Sequence, residues 1–254
     1  MNRAVPSAPA AAPLKISVVV PAFNEQKLIR RSVKAIHQAA EAFTRTGWGY
    51  EVIVCDNNSN DQTAEYARAA GAHVVFEPVN QISRARNRGA SAATGEWLVF
   101  VDADSYPCAG LFGDVAEHIA RGEHVGGGAV VHMEHAPRGI RLVAQGWNLL
   151  SRWQRWMAGS FIWCEAGVFR ELGGFSHELY AAEEIEFSRR LHRVAARLKK
   201  RVTILNRYPL KTSARKAYLY STWDHLKFVG KNVLGVGRPL RDRSQCGIWY
   251  EGRR

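Results

Sequence analysis

The sequence has few of the features that mark secreted, zinc-stapled or membrane-spanning proteins. Its 254 residues include four cysteines, which form no C-x-x-C pair, so neither a disulfide framework nor a cysteine zinc site is expected. No apolar run approaches the ~20 residues that a transmembrane helix needs. Residues 1–14 lack a continuous apolar segment and are rich in alanine and proline, which predicts a flexible tail and not a signal peptide. These absences favour a reducing, cytoplasmic setting.

Acidic residues are also scarce relative to basic ones. The chain has 35 Lys and Arg against 23 Asp and Glu, a formal net charge of +12. This excess favours anionic partners such as nucleotides, phosphorylated carriers or membrane surfaces. The basic residues are scattered and no RNA-binding motif with paired aromatic residues is recognisable, so nucleic acid is not an expected partner.

Short apolar runs alternate with helical patterns along the first half of the chain. Ile16–Val20, Glu51–Cys55 and Leu98–Val101 are bounded by turn formers and predict buried strands. Asn24 is a suitable N-cap for the helical pattern after the first strand. Such alternation predicts an α/β domain, with a mostly parallel, mixed sheet and helices on both faces. The expected segments are a nucleotide-binding half (15–107), an acceptor-binding half (108–216), and an amphipathic helix with a basic tail (217–254).

Two aspartates follow the apolar run in WLVFVDADS, Trp97 to Ser105. Asp102 and Asp104 thus come at the carboxyl end of a strand, where ligands bind in open α/β sheets. Two carboxylates one residue apart can face one hard divalent cation, which commonly shares its coordination shell with substrate phosphates. A pattern as short as D-x-D also fits a turn cap beside a solvated side chain, and taken alone that is the commoner case.

The segment before this strand, Ile82 to Ala93, predicts a helix with three projecting arginines. Arg84 and Arg88 share one face and Arg86 lies between them in sequence. Arginines close to a carboxylate pair suit a diphosphate, since such a ligand needs both metal and organic cations. The alternative is a solvated basic face.

Three stretches of the second half carry further expectations. Gly126–Gly128 predicts a bend before a strand at Ala129–Met133. Ile140–Met157 predicts an amphipathic helix bearing tryptophan and arginine, which can lie at a membrane interface or line an acceptor groove, although core packing is the commoner role. Ala181–Arg201 predicts a helix whose acidic first turn matches the macrodipole and could alternatively supply a general base.

Five segments also occur together in an informative order: VVVPAFNE (18–25), CDNNSNDQT (55–63), SRARNRGASAATGEWLVFVDADS (83–105), GGF (173–175) and EEIEFSRRL (183–191). In this order they resemble the family-two glycosyltransferases, from about residue 15 to residue 216. The resemblance implies a GT-A fold, a nucleotide-sugar donor with UDP favoured, a Mn²⁺ or Mg²⁺ ion, and inverting transfer to an acceptor hydroxyl on a glycan or lipid-linked molecule. It also raises the D-x-D pattern above its value alone.

The resemblance implies positions for the donor along the first two strands. Pro21, Ala22 and Glu25 would lie beside the nucleotide, and Asp56 would face the base. The family more often has Asp-Gly where this chain has Asn57-Asn58, which leaves the base open.

Further roles are implied for the second pair of motifs. Arg84, with Arg88 on the same face, would lie near the diphosphate. Asp102 would approach the ribose or the metal ion, and Asp104 would bind the metal ion. On the acceptor side the resemblance implies two catalytic residues: Glu184 would replace an aspartate that acts as general base, and Glu183 would neighbour the acceptor.

Two other functions fit parts of the sequence. A sugar nucleotidyltransferase can share this sheet and also uses metal, but it usually carries a glycine-rich basic loop where this chain has PAFNE (21–25). A catalytically silent binding protein would use the positive charge to dock on anionic surfaces. Peripheral contact with the inner face of a membrane is also compatible with the enzyme.

Overall fold

The computed structural model describes residues 13–215 and 241–242. The predicted tail at 1–14 and the predicted helix and basic tail at 217–254 lie almost entirely outside the described residues. The elements are β1 Lys15–Ala22, α1 Ile29–Arg45, β2 Gly49–Asp56, α2 Thr63–Ala69, β3 His73–Phe76, α3 Ile82–Ser91, β4 Trp97–Val101, β5 Ser105–Tyr106, α4 Ala109–Ala120, β6 His124–Glu134, α5 Arg138–Gln154, β7 Phe161–Glu165, α6 Ala166–Glu171, α7 Glu183–Arg197 and β8 Arg201–Ser213.

The strands form one eight-stranded sheet in the order β3-β2-β1-β4-β7-β6-β8-β5. β3, β2, β1 and β4 are parallel, whereas β7 runs antiparallel to both β4 and β6. β8 is parallel to β6 and antiparallel to β5. The sheet is therefore mixed, and the predicted α/β class is confirmed.

Apolar side chains alternate between the two faces of β1 and give each face its own core. Val18 and Val20 belong to a cluster with α1 and α4, and Val19 belongs to a second cluster with α6 and α7. A strand buried on both faces reads as a continuous apolar run, which is the pattern of ISVVV. Helices on both faces hold the strand ends in place, and polar residues follow those ends.

Two local predictions were wrong. Gly126–Gly128 lies inside β6 and not at a bend before it; a Cβ at Gly127 would collide with the Thr203 carbonyl, so glycine permits close strand packing here. Asn24 does not cap α1, which begins five residues later. Its backbone is left-handed, with φ of 52°, and its side chain instead accepts the Asn60 N–H at 2.9 Å.

Helix α5 departs from the commoner role expected for such a sequence. Ile140 and Ser151 are its only buried residues, so most of its apolar side chains do not enter the core. Among the described residues, none of the helices combines the length and apolar character needed to cross a bilayer. α5 is thus a surface helix with an apolar face.

Candidate active site

The carboxyl ends of three parallel strands meet at one edge of the sheet. Ala22, the last residue of β1, pairs with Asp56, the last residue of β2. β4 lies on the other side of β1 and ends one residue before Asp102. Pro21 and Ala22 therefore lie between the strands that lead to Asp56 and Asp102, at the edge where α/β sheets bind ligands.

The loops after β1 and β2 are tied together by hydrogen bonds. The Asn24 N–H donates to Ser59 Oγ at 2.9 Å, and the Glu25 N–H donates to Thr63 Oγ1 at 2.7 Å. Asp56 accepts the Ser59 N–H at 3.2 Å. These bonds satisfy backbone donors that a loop would otherwise leave to water, and they fix the positions of Glu25 and Asp56.

Asn57, a departure from the commoner Asp-Gly, organises the next loop. Its amide donates to the Val79 carbonyl at 2.6 Å, and its Oδ1 accepts the Gln81 N–H at 2.9 Å. Gln81 in turn donates to the carbonyls of His177 and Leu179. The aspartate that is commoner at this position could accept from Gln81 but could not donate to the Val79 carbonyl, so the Asn57 amide holds the 77–81 loop beside Asp56.

Arg86 is the central side chain of the site, and the prediction that it projects from the helix with Arg84 and Arg88 was wrong. The residue is 1% exposed, and its guanidinium donates to Glu183 Oε1 at 2.6 Å, Asp102 Oδ1 at 3.1 Å and the Gly159 carbonyl at 2.7 Å. Burial acts to lower the pKa of Arg86, but Asp102 and Glu183 reverse this and raise it. The Arg86 guanidinium thus joins the end of β4 to the start of α7. We call the side chains of Arg86, Asp102, Glu183 and Glu184 the Arg86 cluster.

A signal for Arg86 was present in the sequence. The buried residues of α3 include Ser83, Ala85, Arg86 and Gly89, so Arg86 lies on the side of small residues that faces the sheet. A long cation on such a side must find buried carboxylates, since burying it alone is too costly. The predicted pair is not part of this cluster. Arg88 is exposed and its Nε donates to the Phe76 carbonyl at 3.3 Å, while the charge of Arg84, after the larger effect of burial, lowers the pKa of His177. Their roles beside the diphosphate stay predictions.

The two glutamates at the start of α7 have different surroundings. Glu183 is 3% exposed and forms the 2.6 Å ion pair with Arg86. The Glu184 carboxyl is surrounded by protein, although the residue keeps partial solvent exposure; burial and the Glu183 charge raise its pKa to about 8, against the opposing effect of Arg86. Gly159 lies against this carboxyl group, since a Cβ at residue 159 would be in van der Waals contact with Glu184 Cδ, at 3.5 Å. Glu184 is therefore a carboxyl group poised to exchange a proton near neutral pH.

Glu25 and Asp104 are held by β8 and the residues just after it. Arg215 Nη2 donates to both Glu25 carboxylate oxygens, at 2.7 and 2.8 Å. Asp104 is 4% exposed, its carbonyl accepts the Ser213 N–H at 2.9 Å, and its charge reaches Arg215. The chain at the C-terminal end of β8 thus contacts Glu25, which was predicted to lie beside the nucleotide, and Asp104, which was predicted to bind the metal ion.

The carboxylate oxygens at this edge of the sheet fit a divalent cation that binds together with a phosphate ligand. In the described part of the chain, no group of three or more His, Cys, Asp and Glu side chains could hold a metal ion. Asp104, with Asp102 beside it, offers one or two hard oxygen ligands. Mn²⁺ and Mg²⁺ sites of nucleotide enzymes commonly use one or two carboxylates and complete the shell with substrate phosphates and water.

A sequence model of Glycosyl transferase family 2 matches residues 17–171, which is more than half of the chain. The chain belongs to glycosyl transferase family 2. The matched region of this family-2 protein includes the strand ends, α3 and both aspartates, and it stops before Glu183 and Glu184. The roles of those two glutamates remain predictions.

Two relatives place this family-2 chain among glycosyltransferases. An uncharacterized glycosyltransferase of Mycobacterium tuberculosis strain H37Rv is 32% identical over 142 residues, 54% of this chain and 60% of that protein. Glycosyltransferase AglD of Haloferax volcanii is 30% identical over 125 residues, 47% of this chain and 20% of that protein. The matched region therefore spans less than two thirds of either relative.

Solved structures confirm the fold of this family-2 protein as GT-A. Staphylococcus aureus TarS, in complex with UDP-GlcNAc, superposes with a TM-score of 0.61 at 19% identity, over 94% of this chain and 71% of that chain. Glucosyl-3-phosphoglycerate synthase from M. tuberculosis, in complex with Mn²⁺, UDP and phosphoglyceric acid, superposes with a TM-score of 0.55 at 21% identity, over 92% and 79%.

Arg86→Lys tests whether the cluster depends on a forked cation. Lysine keeps the charge but cannot reach Glu183, Asp102 and Gly159 together, so we expect the free energy of unfolding in urea to fall by about 1–3 kcal/mol. Arg88→Lys, on the exposed side of the same helix, is the matched control and should stay within about 0.5 kcal/mol of wild type. An Arg86→Lys variant as stable as wild type would show that the stability of the fold does not depend on the forked cation.

Proposed function

We propose that this protein transfers a sugar from a nucleotide-sugar donor, with UDP as the favoured nucleotide, to an acceptor hydroxyl with inversion of the anomeric carbon. The observation that carries the proposal is the Arg86 cluster. Its guanidinium joins Asp102 to Glu183, the neighbour of Glu184. Asp102 lies at the edge of the sheet formed by the ends of β1, β2 and β4, which we call the donor edge. The UDP complexes of TarS and glucosyl-3-phosphoglycerate synthase support the choice of nucleotide.

The donor would lie across the ends of β1, β2 and β4. Pro21 and Ala22 would border the nucleotide, Asp56 would face its base, and Glu25 would lie beside it in its pairing with Arg215. Asp104, with Asp102, would hold Mn²⁺ or Mg²⁺. When bound, such an ion neutralises the diphosphate and stabilises the departing phosphate oxygen as a Lewis acid.

The chemical step needs a base on the side opposite the departing nucleotide. The acceptor oxygen forms a bond to the anomeric carbon as the bond from that carbon to the diphosphate oxygen breaks, and the electron pair leaves with the nucleotide. Glu184 would take the acceptor proton. A raised pKa makes this carboxylate a stronger base than an ordinary glutamate, and attack from the far side inverts the centre without a covalent sugar–enzyme intermediate.

Calorimetric titration tests the donor class. UDP, GDP and dTDP are titrated into the protein with and without Mn²⁺, and we expect UDP to bind at least about tenfold more tightly when the ion is present. Release of UDP from a UDP-sugar in the presence of acceptor then tests transfer. Release of pyrophosphate from UTP and a sugar phosphate would instead support a nucleotidyltransferase, and absence of binding to all three nucleotides would overturn the proposal.

A further inference from the structure

The outer face of α5 carries large apolar side chains in solvent. Leu142 is 67% exposed, Leu149 is 68% exposed and Trp153 is 78% exposed, and Val143 and Leu150 are also exposed. The spacing of seven and four residues places Leu142, Leu149 and Trp153 on one side of the helix. We call these five side chains the outer face of α5. Contiguous apolar surface of this kind marks an interaction site.

The inner side of α5 is attached to the sheet by hydrogen bonds of Asn148 and by the buried side chain of Ile140. Asn148 donates to the Val131 carbonyl at 2.9 Å and accepts the Val131 N–H at 3.0 Å. These two bonds satisfy the backbone N–H and carbonyl of Val131. This residue lies beyond Gly128, the last residue of β6 that pairs with β7. At the C-terminal end of the helix, Ser151 Oγ donates to the Trp156 carbonyl at 2.6 Å and so fixes the segment that follows α5. The helix is therefore fixed to the domain without using its outer face.

The charged residues of the α5 segment are all basic. Residues 138–155 contain four arginines and no aspartate or glutamate, and all four arginines are exposed. A helix with leucine and tryptophan on one side and arginine around it suits the boundary between the headgroups and acyl chains of an anionic bilayer. Arginines near such a surface gain further from its negative potential. A protein partner would need matching acidic and apolar surface at the same place.

We propose that the outer face of α5 docks on an anionic bilayer, with its leucines and Trp153 inserted and its arginines at the lipid headgroups. The end of α5 is also close to the Arg86 cluster: the Met157 N–H donates to Ser188 Oγ, which donates to the Glu184 carbonyl. Docking would thus bring Glu184 near the membrane surface, where a lipid-linked acceptor would present its hydroxyl. This last step rests on the proposed function, whereas docking itself does not.

Co-sedimentation with vesicles tests the docking. The full chain is mixed with phosphatidylcholine–phosphatidylglycerol vesicles, and pure phosphatidylcholine vesicles serve as the neutral surface. We expect salt-sensitive binding to the anionic vesicles, and a loss of about tenfold or more in partitioning when Leu149→Ser and Trp153→Ser are combined. Leu198→Ser, which removes an exposed leucine at the end of α7, is the matched control and should bind as wild type does.

Three results would overturn the proposal. Failure of the wild-type protein to sediment with anionic vesicles would do so directly. A lipid-free dimer by light scattering that dissociates in the double variant would assign the outer face to a second copy of the chain. A large fall in the melting temperature of the double variant, with no change in vesicle binding, would show that the chain covers this face itself. UDP titration of the double variant keeps these results separate from a failure of the proposed function.

Discussion

A Glu184→Gln variant is expected to lose about 10³-fold in kcat while it binds UDP as tightly as wild type does. Glutamine has nearly the same shape but cannot take the acceptor proton. Because burial and Glu183 already disfavour the charged carboxylate, its replacement by a neutral amide removes no needed charge from the fold. The measurements are single-turnover transfer and calorimetric UDP titration on the same preparation.

The pH dependence sharpens this prediction. The pKa of Glu184 is raised to about 8, and the carboxylate form is the active one, so kcat/KM of the wild type should rise with pH up to and through about 8. The variant should lack this rise. Glu186→Gln is the matched control, because Glu186 lies in the same helical turn but pairs with Arg190. If Glu184→Gln keeps the rise or a near-wild-type kcat, the base lies elsewhere.

An Asp104→Ala variant is expected to lose the Mn²⁺ dependence of UDP binding and about 10²–10³-fold of transfer activity, since several kcal/mol of transition-state stabilisation depend on the ion. The fold should survive. The contacts that β8 makes with Asp104 use its carbonyl, which accepts from Ser213 and Thr212, and alanine keeps that carbonyl.

Affinity for UDP, measured with and without Mn²⁺, is the primary readout, and the melting temperature without ligand checks the fold. Glu134→Gln controls for a general loss of negative charge, because Glu134 and Asp104 both contribute to the field at Tyr106. The control should keep the metal dependence. An Asp104→Ala variant that still binds UDP more tightly with Mn²⁺ would show that Asp104 is not the metal ligand.

Strand ends could be predicted from sequence, whereas side-chain pairing across the chain could not. Continuous apolar runs bounded by turn formers located β1, β2 and β4, and therefore placed Asp56 and Asp102 at one edge. Of the two carboxylates that pair with Arg86, Glu183 is 97 residues away in the sequence, and no local pattern specifies that it reaches Arg86. Local periodicity indicates that a helix has an apolar face but not which surface covers it, and this is why α5 was expected more often in the core.

The link between β8 and the donor edge has a consequence for how the chain folds. Arg215 and Glu25 are separated by 190 residues, and Thr212 and Ser105, which pair between β8 and β5, by 107. Contacts so distant in sequence form late, because the entropy of closing the intervening chain must be overcome first. A ribosome-bound chain that ends before β8 therefore lacks the strand that fastens Asp104. During synthesis, the donor edge can be completed only after β8 has left the exit tunnel.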